Sequence, residues 1–260
     1  MNVILIAHTP DPEKVVAAAA KLCYSKASIT DLMDGLNDEK VAGFLDKLSS
    51  LGHASPLEHA SFTFGIEGIS RSCLAQLTRH RIASPSVQSQ RYVDMSTAEM
   101  VVPPAIAEDG EAYEAFSQAI RSSKYAYDHL HKVLEDKHTE ELMIQDSTLS
   151  EHTARIKASK MANEDARFVL PEACQTRLML TMNARELNAF FKLRCCNRAQ
   201  WEIRRVADEM LKLVYPIAPH LFKDAGPGCV AGKGCTEGSM TCGHMAQVQD
   251  KYNKIKEALV

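Results

Sequence analysis

At 260 residues, 45% of them hydrophobic, the chain has the length for one large domain or two small ones and enough apolar surface to bury a core. The formal net charge of -3, with arginine crowded into residues 71–91 and 167–205, argues against a nucleic-acid polymer and for a small anionic ligand. Eight cysteines and an opening MNVILIAHTP that is apolar over only six residues, with no basic leader, place the expected location in the reducing cytosol.

The run from Asn2 to Ala7 predicts a buried strand, and Pro12 to Leu22 an alanine-rich helix with proline in its opening turn. Asp38 is placed to cap a helix on which Val41, Phe44, Leu45, Leu48 and Leu51 recur at helical spacing, with Gly52 ending it. GHASPLEH reads as a loop entering a strand in which Phe62, Phe64 and Ile66 alternate with Ser61, Thr63 and Gly65. Ser70 caps a helix through Thr78, after which Pro85 and its serine and glutamine neighbours predict a polar loop.

Residues 111–135 and 139–160 read as two solvated helices, and Gln175 to Met182 as a strand. Asn183 and Glu186 form a cap pair for a helix with the apolar stripe Leu187, Phe190 and Phe191. A further helix, Gln200 to Val214, buries Ile203, Val206, Met210 and Leu211. After Pro219 the composition turns to glycine and cysteine, and a short charged segment closes the chain.

The densest chemical signal is Arg79, His80 and Arg81, followed after seven residues by Ser89, Gln90 and Arg91. Fork-shaped guanidinium donors interleaved with hydroxyls and amides make a phosphate site, although a solvated basic loop has the same composition. Arg194 lies seven residues beyond Leu187 and three beyond Phe191, on the same helical face, so its charge either meets an anionic partner at the core or satisfies the carbonyls at the helix end. No neighbour of Ser89 in sequence is an evident base, so Ser89 reads as a phosphate ligand and not a nucleophile.

The segment RHRIASPSVQS resembles the signature of flavin-dependent thymidylate synthases, an RHR triplet, seven residues, then Ser. GHASPLEHASFTF, RFVLP at 167–171, NARELNAFFKLR and RAQWEIR resemble that family's other blocks in its order, from about Gly52 to Val214. The resemblance implies an α+β fold with a central mixed or antiparallel sheet, flanking helices and a helical segment. It implies one domain over 1–222 with a Gly/Cys-rich tail over 223–260, in a homotetramer with active sites at subunit interfaces.

It implies FAD as cofactor, held by His53, Ser55, Arg79, His80, Arg81, Asn183 and Arg185, and dUMP held by Gln76, Arg79, Gln88, Ser89, Gln90, Arg91, Arg167 and Arg194. Arg194 is the implied catalytic residue, polarising the uracil at N3 so that C5 becomes nucleophilic. The reaction implied is methylation of dUMP to dTMP, with methylenetetrahydrofolate as carbon donor, NAD(P)H as reductant and tetrahydrofolate released; no cysteine acts as nucleophile. Two positions depart from the family: Ser86 and Val87 stand where it often has Asn and Glu, and Ala189 where it usually has Asn or His.

In the tail, Cys229, Cys235, Cys242 and His244 fall within sixteen residues but lack a CxxC knuckle, so the expectation is a flexible segment with reduced thiols and no metal. An RNA-binding reading is disfavoured because the basic residues form no stripe and no aromatic platform accompanies them. A flavin reductase without methyl transfer is the other rival. No nucleic-acid or membrane partner is expected.

Overall fold

The computed structural model describes residues 1–231 and 234–259. In chain order they form β1 (Asn2–His8), α1 (Pro12–Leu22), α2 (Ile29–Asp34), α3 (Asp38–Ser50), a 3-10 turn (Ser55–His59), β2 (Ser61–Ser70), α4 (Arg71–Leu77) and β3 (Ala83–Val87). There follow α5 (Pro104–Ala107), α6 (Gly110–Gln145), α7 (Glu151–Ala166), a 3-10 turn (Arg167–Val169), β4 (Gln175–Asn183), α8 (Ala184–Arg194), α9 (Trp201–Val214), a 3-10 turn (Gly238–Met240) and α10 (Met245–Glu257). The fold is mixed α and β, as the resemblance implied.

The chain divides into two compact units that interleave in sequence: Met1–Glu67, Ala75–Ser86 and Leu178–Val260 form the first, Gly68–Leu74 and Val87–Arg177 the second. This partition differs from a domain over 1–222 with a tail over 223–260. The residues described beyond 222 belong to the first unit, where α10 buries Val248 and Tyr252.

The first unit carries most of a four-stranded sheet of order β1-β2-β4-β3. β1 and β2 run antiparallel, Val3 opposite Ile66 and Leu5 opposite Phe64, with a register shift between Leu5 and Ala7. Across the β2–β4 pair the Thr63 and Thr181 hydroxyls hydrogen-bond at 2.9 Å. The inward stripe Phe62, Phe64 and Ile66 is fully buried, as are Leu187, Phe190 and Phe191 of α8 and Ile203, Val206, Met210 and Leu211 of α9. Phe222 bridges strand and helix, edge-on to Phe62 at 5.4 Å and to Phe191 at 6.0 Å. Each such side chain contributes about 1.5–3 kcal/mol through burial.

Four readings of the sequence need correction, the last of them in the second unit. β1 is not buried: it lies at a sheet edge with Ile4 and Ile6 about half exposed. An apolar run records that a strand avoids water, not that its own chain supplies the cover. The stretch after His80 is not all loop, since residues 83–87 form β3 despite Pro85. β3 is the other edge strand, where an N–H can be missing without breaking a ladder bond. At α3 the cap is Asn37 and not Asp38: the Asn37 Oδ1 accepts from the Lys40 amide at 3.0 Å. Gly52 ends that helix with φ of 71°, as its position suggested.

The second unit is dominated by α6 and α7. The expected break between residues 135 and 139 is absent, and α6 runs unbroken for 36 residues. Nothing in Asp136, Lys137 or His138 stops a helix. The real stop is at Asp146, whose carboxylate takes the Thr148 amide and hydroxyl, and Ser150 then caps α7 by accepting from the Thr153 amide. A small core of Met95, Tyr127, Ala166 and Cys174 lies beside these helices. Among the described residues no helix is long and apolar enough to cross a membrane.

Candidate active site

Within the first unit the site is built at the end of α8. The Asn183 side chain accepts from the Glu186 amide at 2.8 Å, fixing where α8 begins and therefore which residues share its faces. One turn on, the Glu186 carboxylate reaches the Nδ1 of His80 at 3.1 Å, and at the far end Arg194 donates from Nε to His80 Nε2 at 3.0 Å. A guanidinium can only donate, so Nε2 is the acceptor and the proton sits on Nδ1, pointing at Glu186. A second Arg194 nitrogen reaches the carbonyl of Gln76 at 3.4 Å.

The His80 ring is nearly closed to solvent and packs edge-on against Phe190 at 4.9 Å. Burial holds its pKa below the usual histidine value and the Arg194 charge adds to that; the Glu186 carboxylate works in the opposite direction. The imidazole is therefore neutral at physiological pH and serves to aim a permanent cation. Of the flanking arginines, Arg79 and Arg81 are exposed and form no ion pair among the described residues.

His53 is exposed at the rim of a cavity of about 340 Å3 whose walls include Leu45, Leu48, Leu57 and Leu221, with Lys192 and Lys223 also lining it. Size and lining suit a flat ring carrying an anionic group. Ser55 opens the 3-10 turn nearby and is exposed, and Arg185 pairs with Glu58 of that turn. Position 189 is an exposed alanine, while its neighbour Asn188 is engaged with the carbonyls of Ala184 and Leu221.

The remaining expected ligands belong to the second unit. Gln88, Ser89 and Gln90 are half-buried in a braced loop. Arg71 donates from Nη2 to the Gln88 carbonyl at 3.1 Å, and the Gln88 amide donates to the Arg177 carbonyl at 3.0 Å. Ser89 Oγ accepts the Arg91 amide at 3.1 Å, and Gln90 reaches the Cys174 sulfur at 3.8 Å. Arg91 is paired through Nε and Nη2 with Glu164, and the Arg167 Nε donates to the Glu164 carbonyl at 3.1 Å. Val87 offers no carboxylate, and Glu164 stands instead against the loop's own arginine.

Sequence reasoning missed Glu186, recognised only as half of a cap pair, and Arg71. The Arg71 Nε is buried without a hydrogen-bond partner among the described residues, and burial lowers its pKa. The signal for Glu186 was its place one turn into a helix that ends in arginine, and for Arg71 a lone charge at a strand-to-helix junction. Burial raises the thiols of Cys174 and Cys195, away from the thiolate form a nucleophile needs.

A neutral histidine aiming an arginine, in a unit that also holds a ring-sized cavity, suits anionic, ring-bearing ligands. The profile of the thymidylate synthase complementing protein family matches residues 4–220. The flavin-dependent thymidylate synthase of Clostridium tetani is 49% identical over 252 residues, 97% of each chain, and that of Geobacter sulfurreducens 47% identical over 257 residues, 98% of this chain and 99% of its own. The crystal structure of the Helicobacter pylori flavin-dependent thymidylate synthase with FAD and dUMP is similar at a TM-score of 0.55 and 25% identity, covering 87% of this chain and all of that one. The chain belongs to the flavin-dependent thymidylate synthase family.

Proposed function

We propose that this chain makes dTMP from dUMP, taking the one-carbon unit from methylenetetrahydrofolate and reducing equivalents from NAD(P)H by way of FAD, and releasing tetrahydrofolate. The observation that carries the reading is the Glu186–His80–Arg194 chain centred on the histidine of the RHR segment, in a protein with relatives of this name over nearly its whole length.

FAD fits the residues present: His53 and its cavity offer an apolar slot for the ring system, and Arg79, Arg81 and Arg185 offer charge for the pyrophosphate. When bound, FAD supplies the hydride that completes the methyl group. The chain's own task is to bind, orient and polarise. Arg194, held by His80 and the Gln76 carbonyl, presents positive charge where the uracil N3 and its carbonyls would lie, favouring the ring form in which C5 is electron-rich. Ser89 and Arg91, with Gln88, Gln90 and Arg167, hold the nucleotide; for Arg91 this requires exchanging Glu164 for phosphate. The assembly is a homotetramer, each active site drawing residues from more than one subunit.

The test is reoxidation of the reduced flavoprotein with dUMP and methylenetetrahydrofolate, scored together with dTMP formed and tritium released from dUMP labelled at C5. One dTMP per flavin oxidised is expected. Nicotinamide oxidation with neither dTMP nor tritium release would make the chain a flavin reductase and overturn the reading.

A further inference from the structure

Four cysteines from separate stretches converge in the first unit. Cys196 follows α8, Cys229 and Cys235 lie on the loop after α9, and Cys242 precedes α10, and all four line one cavity of about 10 Å3. A space of that size holds a single water-sized particle and no organic ligand. All four thiols are free.

The surrounding chain holds these residues close. A side chain at Gly228 would come within 2.5 Å of the Thr236 Oγ1, so the residue before Cys229 lies directly against the residue after Cys235, a contact only glycine permits. Gly234 and Gly243, next to Cys235 and Cys242, take φ of 81° and 75°. Asn197 donates from Nδ2 to the Cys242 sulfur at 3.8 Å, the kind of N–H to sulfur contact that steadies a thiolate on a metal.

We propose that Cys196, Cys229, Cys235 and Cys242 bind one zinc-class divalent ion in a closed, four-thiolate structural site. Sulfur donors select a soft or borderline ion over magnesium or calcium, and four ligands leave no open position for catalysis. Each thiol gives its proton to solvent as its bond to the metal forms, so binding releases up to four protons. Among the described residues no three such side chains are preset around an ion, so the proposed site requires the four sulfurs to draw in to the ~2.3 Å of a zinc–sulfur bond as the ion binds. The spacing of the last three cysteines lacks a knuckle because the fourth ligand comes from Cys196, far upstream and two residues past Arg194. The ion thus ties the end of α8 to the loop after α9.

The test uses the untagged full chain, purified under reducing conditions and reconstituted with zinc or cobalt(II). About one ion per chain is expected, with the absorption of tetrahedral cobalt–thiolate on cobalt loading. Zinc should also protect four thiols from alkylation, and Cys196→Ser or Cys229→Ser should abolish the cobalt spectrum. Substoichiometric metal after reconstitution, a metal content unchanged in both variants, or disulfides joining these cysteines in the reduced preparation would each overturn the proposal. If the variants do not fold, the alkylation pattern of the unaltered chain with and without zinc decides it.

Discussion

His80 is more useful as an aiming device than as an acid or base. Its neutral ring accepts from Arg194 and donates to Glu186, and the Arg194 bond fails if Nε2 takes a proton. Because burial lowers its folded-state pKa, the unfolded chain binds that proton more readily below about pH 6.5. Stability from this group is therefore fully present above that pH and declines as pH falls toward the folded-state value. Thermal melts from pH 7.5 to 5 should fall more steeply for the wild type than for His80→Gln; parallel slopes would show that the ring is not the titrating group. Glu186→Gln weakens the same chain at its other end. It should lower kcat/KM about ten- to hundredfold, the kinetic equivalent of losing a charge-assisted hydrogen bond, while the protein still takes up FAD. Flavin absorbance and dTMP production measured on one preparation separate these effects.

Arg194 itself carries the largest expected loss. Arg194→Ala should spare FAD uptake and its reduction by nicotinamide but lower methyl transfer by two to three orders of magnitude, corresponding to about 3–4 kcal/mol. Arg194→Lys should recover little, because an ammonium cannot bond His80 and the Gln76 carbonyl from one rigid plane. Activity within tenfold of wild type would reduce Arg194 to a helix-end charge. Ser89→Ala should raise the KM for dUMP and leave turnover measurable; turnover lost at saturating dUMP would return the serine to the chemistry.

At the scale of elements, α10 is a packed part of the first unit. The Tyr252 hydroxyl, almost fully buried, donates to the Cys195 carbonyl at 3.1 Å and also meets Asp208, which Lys251 pairs from the same helix. Tyr252→Phe removes the one buried hydroxyl donor shared by the Cys195 carbonyl and Asp208 and should cost about 1–3 kcal/mol, read from denaturant midpoints at unchanged m value. A larger loss would mean that α10 detaches as a whole. Here lies the boundary of what the sequence disclosed. The stripes on β2, α8 and α9 were legible because amphipathic period maps directly onto burial, and the Asn183 cap because its donor lies three residues away. The single length of α6 and the strand character of residues 83–87 were not, because the first depends on the absence of a breaker and the second on an edge position that only partner strands define. The site was half legible: the RHR segment drew attention to His80, but the Glu186–His80–Arg194 chain joins residues more than a hundred positions apart.

For the whole molecule, the exposed edge at β1 bears on assembly. Ile4 and Ile6 both lie over Gly65, where a side chain would meet their atoms at 3.0 and 3.2 Å, and both remain about half open to water. An apolar edge strand left bare invites pairing with other chains, so the proposed homotetramer has reason to cover it. Light scattering should return the mass of four chains, and Ile4→Lys with Ile6→Lys should shift it downward. An unchanged tetramer would place the interface elsewhere.

The sheet order also sets a timetable for folding. β4 is the strand that joins β2 to β3, yet it is translated more than a hundred residues after β2 ends. Until residue 183 has emerged, β2 and β3 have no neighbour between them, whereas α6 and α7 can zip together as soon as both exist because their contacts are local. The second unit's helical hairpin should thus form before the first unit's sheet is complete. Pulsed hydrogen exchange during refolding should find the amides of 110–166 protected before those of 61–70. The reverse order would show that the distant strands find each other without that help.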